Sequence, residues 1–293
     1  ADPLFTMSYT GVNGGLVICV ADDPGMHSSQ NEQDSRHYAI ASKIPMLEPA
    51  DSREAKEFAK IAFELSEEFD TPVLLRMCTR IAHSQCSVEL LEPVAAVKKE
   101  YVKNPQKYIM APANAIRRHP VVEERTAKLT KFAETSSLNR VEWAEDKKLG
   151  IITSGTSYDY VKEVMGDSVS VMKLGLVNPL PVDLIKDFAA KVERVIVIEE
   201  LDPVIENHCK ALGIEVEGKN LLPICSYHFI NLICFLLNFF CIIHTKLIFF
   251  IQKCTILFII NILDYQSFNT LIRYWYHIIK AKRTLHFFFV PRY

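Results

Sequence analysis

The hydrophobic and polar positions in the first part of the chain predict the strands of a parallel sheet. GGLVICVA (14–21) is a continuous apolar run, which is typical of a strand buried on both faces. PVLLRMC (72–78) has the same character, and KIPMLEP (43–49) is a weaker strand candidate that ends at a proline. Because short links join these segments, we expect them to be neighbouring strands of one α/β unit.

A helix is predicted between the strand candidates KIPMLEP (43–49) and PVLLRMC (72–78). Apolar residues recur at helical spacing from Ala55 to Phe69, while acids and lysines occupy the opposite face. Asp51 precedes this pattern and Glu54 follows three residues later, an arrangement that resembles a capping box. The helix is therefore expected to begin directly after Asp51.

A regular alternation of strands and helices begins at Leu149, with a repeat of roughly 20 to 25 residues, as parallel βα units require. Strands are predicted at LGIITSG (149–155), VSVMKLG (169–175), RVIVIEE (194–200) and GIEVEG (213–218). Helices are predicted at SYDYVKEVMG (157–166), PVDLIKDFAAK (181–191) and PVIENHCKALG (203–213). This part of the chain is expected to form a second α/β domain.

The segment between the two regular parts, residues 85–148, is rich in proline and charge and shows no sustained period, so we predict a long wrapping linker. VVEERTAKLTKFAE (121–134) is expected to be one helix within it. VKKEYVK (97–103) and AIRRHP (115–120) are basic runs, for which a solvated surface is favoured over a contact patch. The predicted division of the chain is then 1–84, 85–148, 149–225 and an apolar tail, 226–293.

The tail differs from the rest of the chain in composition. It holds seven basic residues, one acid, no glycine and eleven of the seventeen phenylalanines. Residues 220–245 carry no Lys, Arg, Asp or Glu, and 229–263 would serve as a membrane anchor. Transmembrane helices use Ala, Gly and Val freely, whereas this tail has one Ala and one Val and consists mainly of residues encoded by A and T alone. A frameshift or read-through product is therefore favoured over a genuine anchor, and both explanations stay open.

Charge and cysteine content narrow the possible functions. Residues 1–225 hold 26 Lys and Arg against 34 Asp and Glu, which argues against nucleic acid as a partner, because phosphate neutralisation requires clustered basic side chains. The cysteines show no CxxC pair and no metal-binding spacing, and Cys19 and Cys78 lie in apolar runs and are expected in the core. These features indicate a cytoplasmic protein, or a membrane-associated one if the tail is genuine. The sequence does not begin with Met and shows no signal peptide, and we interpret its N-terminus as a cut end.

The candidate site is the polar loop DDPGMHSSQNEQD (22–34), which follows the first predicted strand. Open α/β sheets bind ligands at the carboxyl ends of their strands, so this loop is expected to line a cofactor or substrate pocket. Among its side chains, His27 alone has an ordinary pKa suited to proton transfer near neutrality. Asp23 and Ser29 would alternatively cap turns, with His27 bonded locally. The pocket candidates are Asp22, Asp23, His27, Ser28, Gln30, Asn31, Gln33 and Asp34.

Weaker candidates lie near the ends of other predicted strands. They are Arg80 and His83 after PVLLRMC, and Glu199 and Glu200 after RVIVI. A histidine in such a position is more often a satisfied turn residue than a functional one. At the turn ITSGTSYDYV, helix capping by Thr156 or Ser157 is favoured over an anion site.

Four segments resemble one enzyme family. They are residues 1–39, IPMLEPADSREAKEFAKIAFELSEEFDTPVLLR (44–76), KYIMAPANAIRRHP (107–120) and SSLNRVEWAEDKKLGIITSGTSYDYVKEV (136–164). They are similar to alpha subunits of indolepyruvate:ferredoxin oxidoreductases, which are thiamine-diphosphate-dependent 2-oxoacid:ferredoxin oxidoreductases. The resemblance is dense from Ala1 to about Cys225, with DDPGMHSSQNEQD as its most specific motif, and then stops abruptly.

The resemblance implies a fold and a function. Residues 1–84 would be the C-terminal half of a thiamine-diphosphate pyrimidine-binding domain, and residues 149–225 a transketolase C-terminal-like domain. The enzyme would oxidatively decarboxylate indolepyruvate to an acyl-CoA, using thiamine diphosphate, Mg2+ and 4Fe-4S clusters. Its partners would be a beta subunit, ferredoxin, coenzyme A and the 2-oxoacid. In this family the activating glutamate lies upstream of residue 1, and the diphosphate motif and cluster cysteines lie in domains absent here, so this chain is expected to be inactive alone.

Two other functions remain open from the sequence. No aromatic-binding pocket can be identified from the residues, so a fragment of a related pyruvate or other 2-oxoacid:ferredoxin oxidoreductase is one alternative. The other is a membrane-attached, non-catalytic α/β binding module that uses residues 229–263 as its anchor.

Overall fold

Two four-stranded sheets form the frame of the protein in the computed structural model, which describes residues 1–93, 98–100 and 102–221. The strands are β1 (Val17–Asp22), β2 (Met46–Leu47), β3 (Val73–Cys78), β4 (Asn139–Glu142), β5 (Leu149–Ser154), β6 (Ser170–Leu174), β7 (Leu176–Asn178) and β8 (Arg194–Ile198). The helices are α1 (Asp2–Thr10), α2 (Arg36–Ser42), α3 (Ser52–Glu68), α4 (Thr79–His83), α5 (Pro105–Tyr108), α6 (Pro112–Thr135), α7 (Thr156–Met165), α8 (Val182–Ala190) and α9 (Val204–Ala211). The predicted α/β class, with two largely parallel sheets, is confirmed.

The first sheet has the strand order β1–β3–β2–β7. β1 and β2 run parallel to β3, as the three sequence segments predict, and β7 pairs antiparallel with β2. Helix α3 covers one face of this sheet and begins where the sequence predicts. The carboxylate of Asp51 accepts the N–H of Glu54 at 2.7 Å, and the Glu54 carboxylate accepts the N–H of Ala50, also at 2.7 Å.

The second sheet has the order β4–β6–β5–β8, in which β5 runs parallel to β6 and β8 and β4 is an antiparallel edge. The chain leaves β6 at Leu174, passes Gly175 and enters β7, so two consecutive strands belong to different sheets. One hydrophobic core includes residues of both sheets and of the helices around them, among them Ile44, Met46, Leu74, Ile152, Met172 and Phe188.

Ion pairs also join the two sheets. The fully buried ammonium of Lys173, on β6, is paired with Glu54 of α3 and lies 5.0 Å from the centre of the Phe58 ring. Arg140 of β4 binds the other Glu54 oxygen at 2.9 Å. Burial lowers the pKa of Lys173 even though the Glu54 carboxylate acts in the opposite direction. The described residues all fall within one compact unit of the chain, as these shared contacts require.

Several sequence predictions are wrong. GGLVICVA is an edge strand with half-buried side chains, and Cys19 is exposed, because β1 pairs with β3 on one side and with no other strand of the described residues. Within the predicted linker, α6 begins at Pro112, well before residue 121, and β4 joins the second sheet. GIEVEG contributes a single bridge between Ile196 and Glu217 in place of a strand.

Other predictions stay untested. The division of the chain into domains at residues 84 and 148 remains a prediction. The tail, residues 226–293, and its possible anchor, residues 229–263, lie outside the described residues. Within the part of the chain that the structure describes, no helix has both the length and the apolar character needed to cross a membrane.

Gly175, where the chain crosses from β6 to β7, has no free space for a side chain. A Cβ atom on Gly175 would lie 2.4 Å from the main-chain oxygen of Leu138 and 2.8 Å from the ring of Phe58. We expect Gly175→Ala to lower the free energy of unfolding by about 1 kcal/mol, measured by urea denaturation, because overpacking forces neighbours apart. Gly14→Ala is the control, since nothing lies within 4 Å of its Cβ position. Equal stability of the two variants would contradict this account.

Candidate functional site

The loop that follows β1 is fixed at both ends by buried carboxylates. The Asp22 carboxylate accepts the N–H of Ser35 at 3.0 Å and the Ser35 hydroxyl at 2.5 Å, which ties the first residue of the loop to the residue directly after it. It also accepts Nε of Arg76, in β3, at 2.6 Å. Asp22 and Arg76 are both buried, so this closure is shielded from water.

Asp23 is bonded within its own turn. Its carboxylate accepts the hydroxyl of Thr79 at 2.6 Å and the N–H groups of Ser28 and Ser29 at 2.8 and 2.9 Å. These hydrogen bonds, that of Thr79 foremost, hold the pKa of Asp23 well below its usual range. The contacts match the alternative role predicted for Asp23, a turn cap.

Asp34, at the other end of the loop, belongs to a buried ion network that reaches the second sheet. Arg36 donates to both Asp34 oxygens, with the shortest contact at 2.6 Å, and to Glu199 at 2.5 Å. It donates further to the main-chain oxygens of Glu200 and Asp202 at 2.7 and 2.9 Å. The Arg36, Asp34 and Glu199 side chains are each 1% exposed, so the loop is locked to the turn between β8 and α9.

A second buried arginine connects the strand ends. Arg76 pairs with Asp22 and with Glu48, the residue after β2. One oxygen of Glu48 lies so close to Gly155 that a Cβ atom at this position would clash with it. Gly155 has a φ of +53°, which favours glycine, and it precedes α7. The carboxyl ends of β1, β2, β3 and β5 therefore meet around Arg76. Glu48 Oε2 and Arg76 Nη2 are buried without a hydrogen-bond partner among the described residues.

The middle of the loop is exposed. Gly25 and Met26 have φ values of 90° and 51°, and the N–H of Gly25 donates to Glu32 at 2.8 Å. Gln33 donates to the side-chain oxygen of Asn31 at 2.9 Å. The exposed members of the predicted set are His27, Ser28, Gln30, Asn31 and Gln33. The structure thus divides the pocket candidates into buried anchors, Asp22, Asp23 and Asp34, and a polar exposed tip.

The weaker candidates separate in the same way. Arg80 is paired with Glu200 and lies 5.3 Å from the centre of the Tyr160 ring, so it joins α4 to the second sheet. His83 ends α4 and is exposed. Glu199 caps α9 by accepting the N–H groups of Ile205 and Glu206 at 3.0 and 2.9 Å. Burial raises the pKa of Glu199, and the Arg36 charge opposes that rise.

Sequence reasoning missed Arg36, Arg76 and Glu48, although one signal was available. A charged residue inside an otherwise apolar buried strand must be paired, and Arg76 lies in the middle of PVLLRMC. That residue alone predicts a buried carboxylate near β3. The identity of its partners depends on which strands are neighbours, which the sequence pattern does not specify.

Three helix N-termini and one acidic cluster of the described residues are already occupied by side chains of the chain itself. Carboxylates of the chain itself already occupy helix N-termini where a phosphate would bind: Asp51 at α3, Glu134 at α8 and Glu199 at α9. Asp34, His37 and Asp202 are close enough together for a metal ion, but Arg36 occupies both oxygens of Asp34. The exposed tip of the loop presents polar side chains to solvent.

Comparison with known proteins shows which proteins the sequence is similar to. No family model matches the chain. The indolepyruvate oxidoreductase subunit IorA of Archaeoglobus fulgidus is 42% identical over 225 residues, which cover 75% of this chain and 36% of the relative. IorA of Pyrococcus horikoshii is also 42% identical, over 238 residues that cover 76% and 37%. The aligned three quarters of the chain are homologous to IorA. The chain spans little more than a third of the length of these relatives.

A solved structure shares the fold. The 2-oxoglutarate:ferredoxin oxidoreductase from Magnetococcus marinus, determined with 2-oxoglutarate, coenzyme A and succinyl-CoA bound, matches with a TM-score of 0.55 at 20% identity. The match covers 73% of this chain and 46% of that one. At this identity the likeness establishes a common fold.

Proposed function

We propose that this chain is part of the large subunit of a cytoplasmic indolepyruvate:ferredoxin oxidoreductase and is incomplete as a catalyst. The observation that carries the proposal is the 42% identity to IorA over three quarters of the chain. The complete enzyme would oxidise an aryl 2-oxoacid to its acyl-CoA, with ferredoxin as acceptor and a beta subunit as partner. The free cysteines of the described residues are compatible with a reducing cytoplasm.

Thiamine diphosphate with Mg2+ and iron–sulfur clusters are the cofactors proposed for the complete enzyme. When bound, thiamine diphosphate supplies the carbanion chemistry of decarboxylation. Carboxylates of the chain occupy the N-termini of α3, α8 and α9. Of the four free cysteines among the described residues, Cys78 and Cys209 are buried, and burial raises the pKa of Cys209 to about 12. We propose that the cofactors are held mainly by other parts of the subunit. We propose that the exposed tip of the loop after β1 contributes polar side chains to the cofactor or substrate pocket of the complete enzyme.

A chimera tests the proposed function. Residues 1–221 replace the homologous segment of Pyrococcus horikoshii IorA, the product is assembled with the beta subunit, and ferredoxin reduction is measured with coenzyme A. We expect turnover of indolepyruvate in preference to pyruvate, and no turnover by the isolated chain. The chromatographic profile of the complex and its cluster absorbance report correct assembly. An assembled chimera that oxidises pyruvate or 2-oxoglutarate but not indolepyruvate would assign the chain to a related oxidoreductase.

A further inference from the structure

A hydrogen bond between Asp23 and Thr79 connects two neighbouring strand ends of the first sheet. β1 and β3 are paired up to Asp22 and Cys78, so Asp23 and Thr79 are the first residues beyond the paired strands. Thr79 is also the first residue of α4, and its half-buried hydroxyl donates to Asp23 Oδ1 at 2.6 Å. The contact therefore joins the loop after β1 to the carboxyl end of β3.

Asp23 holds the main chain on both sides of His27. Its second carboxylate oxygen, Oδ2, accepts the N–H groups of Ser28 and Ser29 at 2.8 and 2.9 Å. Its main-chain oxygen accepts the N–H of Met26, also at 2.9 Å. Because His27 lies between Met26 and Ser28 in the chain, the position of its backbone depends on the position of Asp23.

The same turn has a backbone conformation that its contacts must maintain. Met26 has a φ of 51°, which residues other than glycine rarely adopt, and it follows Gly25 with a φ of 90°. Such a conformation persists only where surrounding contacts hold it. Asp23 is 8% exposed, whereas His27 and Ser28 are exposed. A carboxylate shielded from water therefore determines where side chains open to a ligand stand.

The Thr79 hydroxyl fixes the direction of this carboxylate. The last torsion of an aspartate side chain is broad, so the carboxylate needs a partner to select one orientation. Ser28 and Ser29 belong to the loop that Asp23 stabilises, whereas Thr79 belongs to the sheet frame. With Oδ1 bound to Thr79 by a short, charge-assisted hydrogen bond, Oδ2 is directed at the loop.

We infer that Thr79 is a positioning residue, which acts through Asp23 to set where His27 and Ser28 stand in the cofactor or substrate pocket. This inference rests on the proposed function, which assigns the exposed tip of the loop to that pocket. A small displacement of groups that contact a bound substrate lowers the rate strongly, and we expect loss of the Thr79 hydroxyl to lower kcat/KM about tenfold. The fold itself should be retained, because valine has the shape of threonine.

Hydrogen exchange in the full chain, followed by NMR, tests the link without any enzyme activity. In Thr79→Val we expect the N–H groups of Ser28 and Ser29 to exchange about tenfold faster, because local opening becomes easier, while those of β3 keep their wild-type rates. Thr71→Val is the matched control at the other end of β3: Thr71 is fully buried and its hydroxyl has no hydrogen-bond partner among the described residues. Equal exchange at Ser28 and Ser29 in the two variants would overturn the inference.

Kinetics of the assembled chimera test the consequence for the pocket. Thr79→Val should lower kcat/KM for indolepyruvate about tenfold, and Thr79→Ser, which keeps the hydroxyl, should restore it to within about twofold. Thr71→Val should leave it unchanged. Full activity of Thr79→Val, or no rescue by Thr79→Ser, overturns the positioning role and leaves the proposed function intact. An assembled chimera with the unaltered segment that oxidises no 2-oxoacid contradicts the proposed function, and the role of Thr79 in the pocket with it.

Discussion

Replacing Arg36 with methionine is expected to lower the free energy of unfolding by about 3–5 kcal/mol. Arg36 is 1% exposed and is the cation between Asp34 and Glu199, and it also binds the main-chain oxygens of Glu200 and Asp202. Methionine fills a similar volume but leaves two buried carboxylates without their partner. The loss comes from uncompensated buried charge, which costs far more than the pair itself contributes. Urea denaturation of the wild-type and variant chains measures it.

A neighbouring exposed pair provides the control for this variant. His37 Nε2 lies 2.8 Å from a carboxylate oxygen of Asp202, and both side chains are at least half exposed. We expect His37→Ala to change the free energy of unfolding by less than about 1 kcal/mol, because water already solvates both groups. If Arg36→Met is no more harmful than His37→Ala, the network does not hold the loop to the second sheet.

The second large effect is a loss of stability in acid that originates at Asp34. Burial alone raises the pKa of Asp34, but the hydrogen bonds and charge of Arg36, with Arg76, outweigh this and hold the pKa at about 2. The ordinary value is near 3.8, so the charged form is favoured in the folded protein. Its contribution, about 2 kcal/mol, is complete above pH 4 and is lost as the pH falls towards 2.

Unfolding measured between pH 5 and pH 2 tests this effect. We expect the stability of Asp34→Asn to fall less steeply with acid than that of the wild-type chain over this interval, although the variant is less stable at neutral pH. Asp146→Asn is the control, because Asp146 pairs with Lys148 at an exposed position and should change the slope less. Parallel curves for Asp34→Asn and the wild-type chain would rule out Asp34 as the source of the acid sensitivity.

Local sequence patterns predicted most of the secondary structure for clear physical reasons. The repeat from Ala55 to Phe69 and the cap at Asp51 depend on residues close together in the chain, and α3 forms as expected. The strands β3, β5, β6 and β8 are central or well covered, so their apolar runs match their burial. β1 has the same composition but lies at an edge, and composition alone does not distinguish the two positions.

The candidate site was only partly predictable. The sequence located the polar loop after β1 and suggested Asp23 as a turn cap, which the contacts with Ser28 and Ser29 support. It did not indicate that Arg36 reaches Glu199, because the two residues are 163 positions apart, with all four strands of the second sheet between them. Such ion pairs depend on how the sheets pack, and sequence spacing carries no information on that contact.

The crossing of β7 into the first sheet sets an order for folding during synthesis. Asn178 pairs with Met46, so the first sheet lacks its last strand until the ribosome has released more than half of the described chain. Until then the outer edge of β2 is open, and the buried partners of Arg36 near residue 199 are also missing. The early part of the nascent chain would therefore remain open to chaperones, and proteolytic cleavage between β3 and β4 would separate the first sheet from β7 while leaving the four strands of the second sheet in one piece.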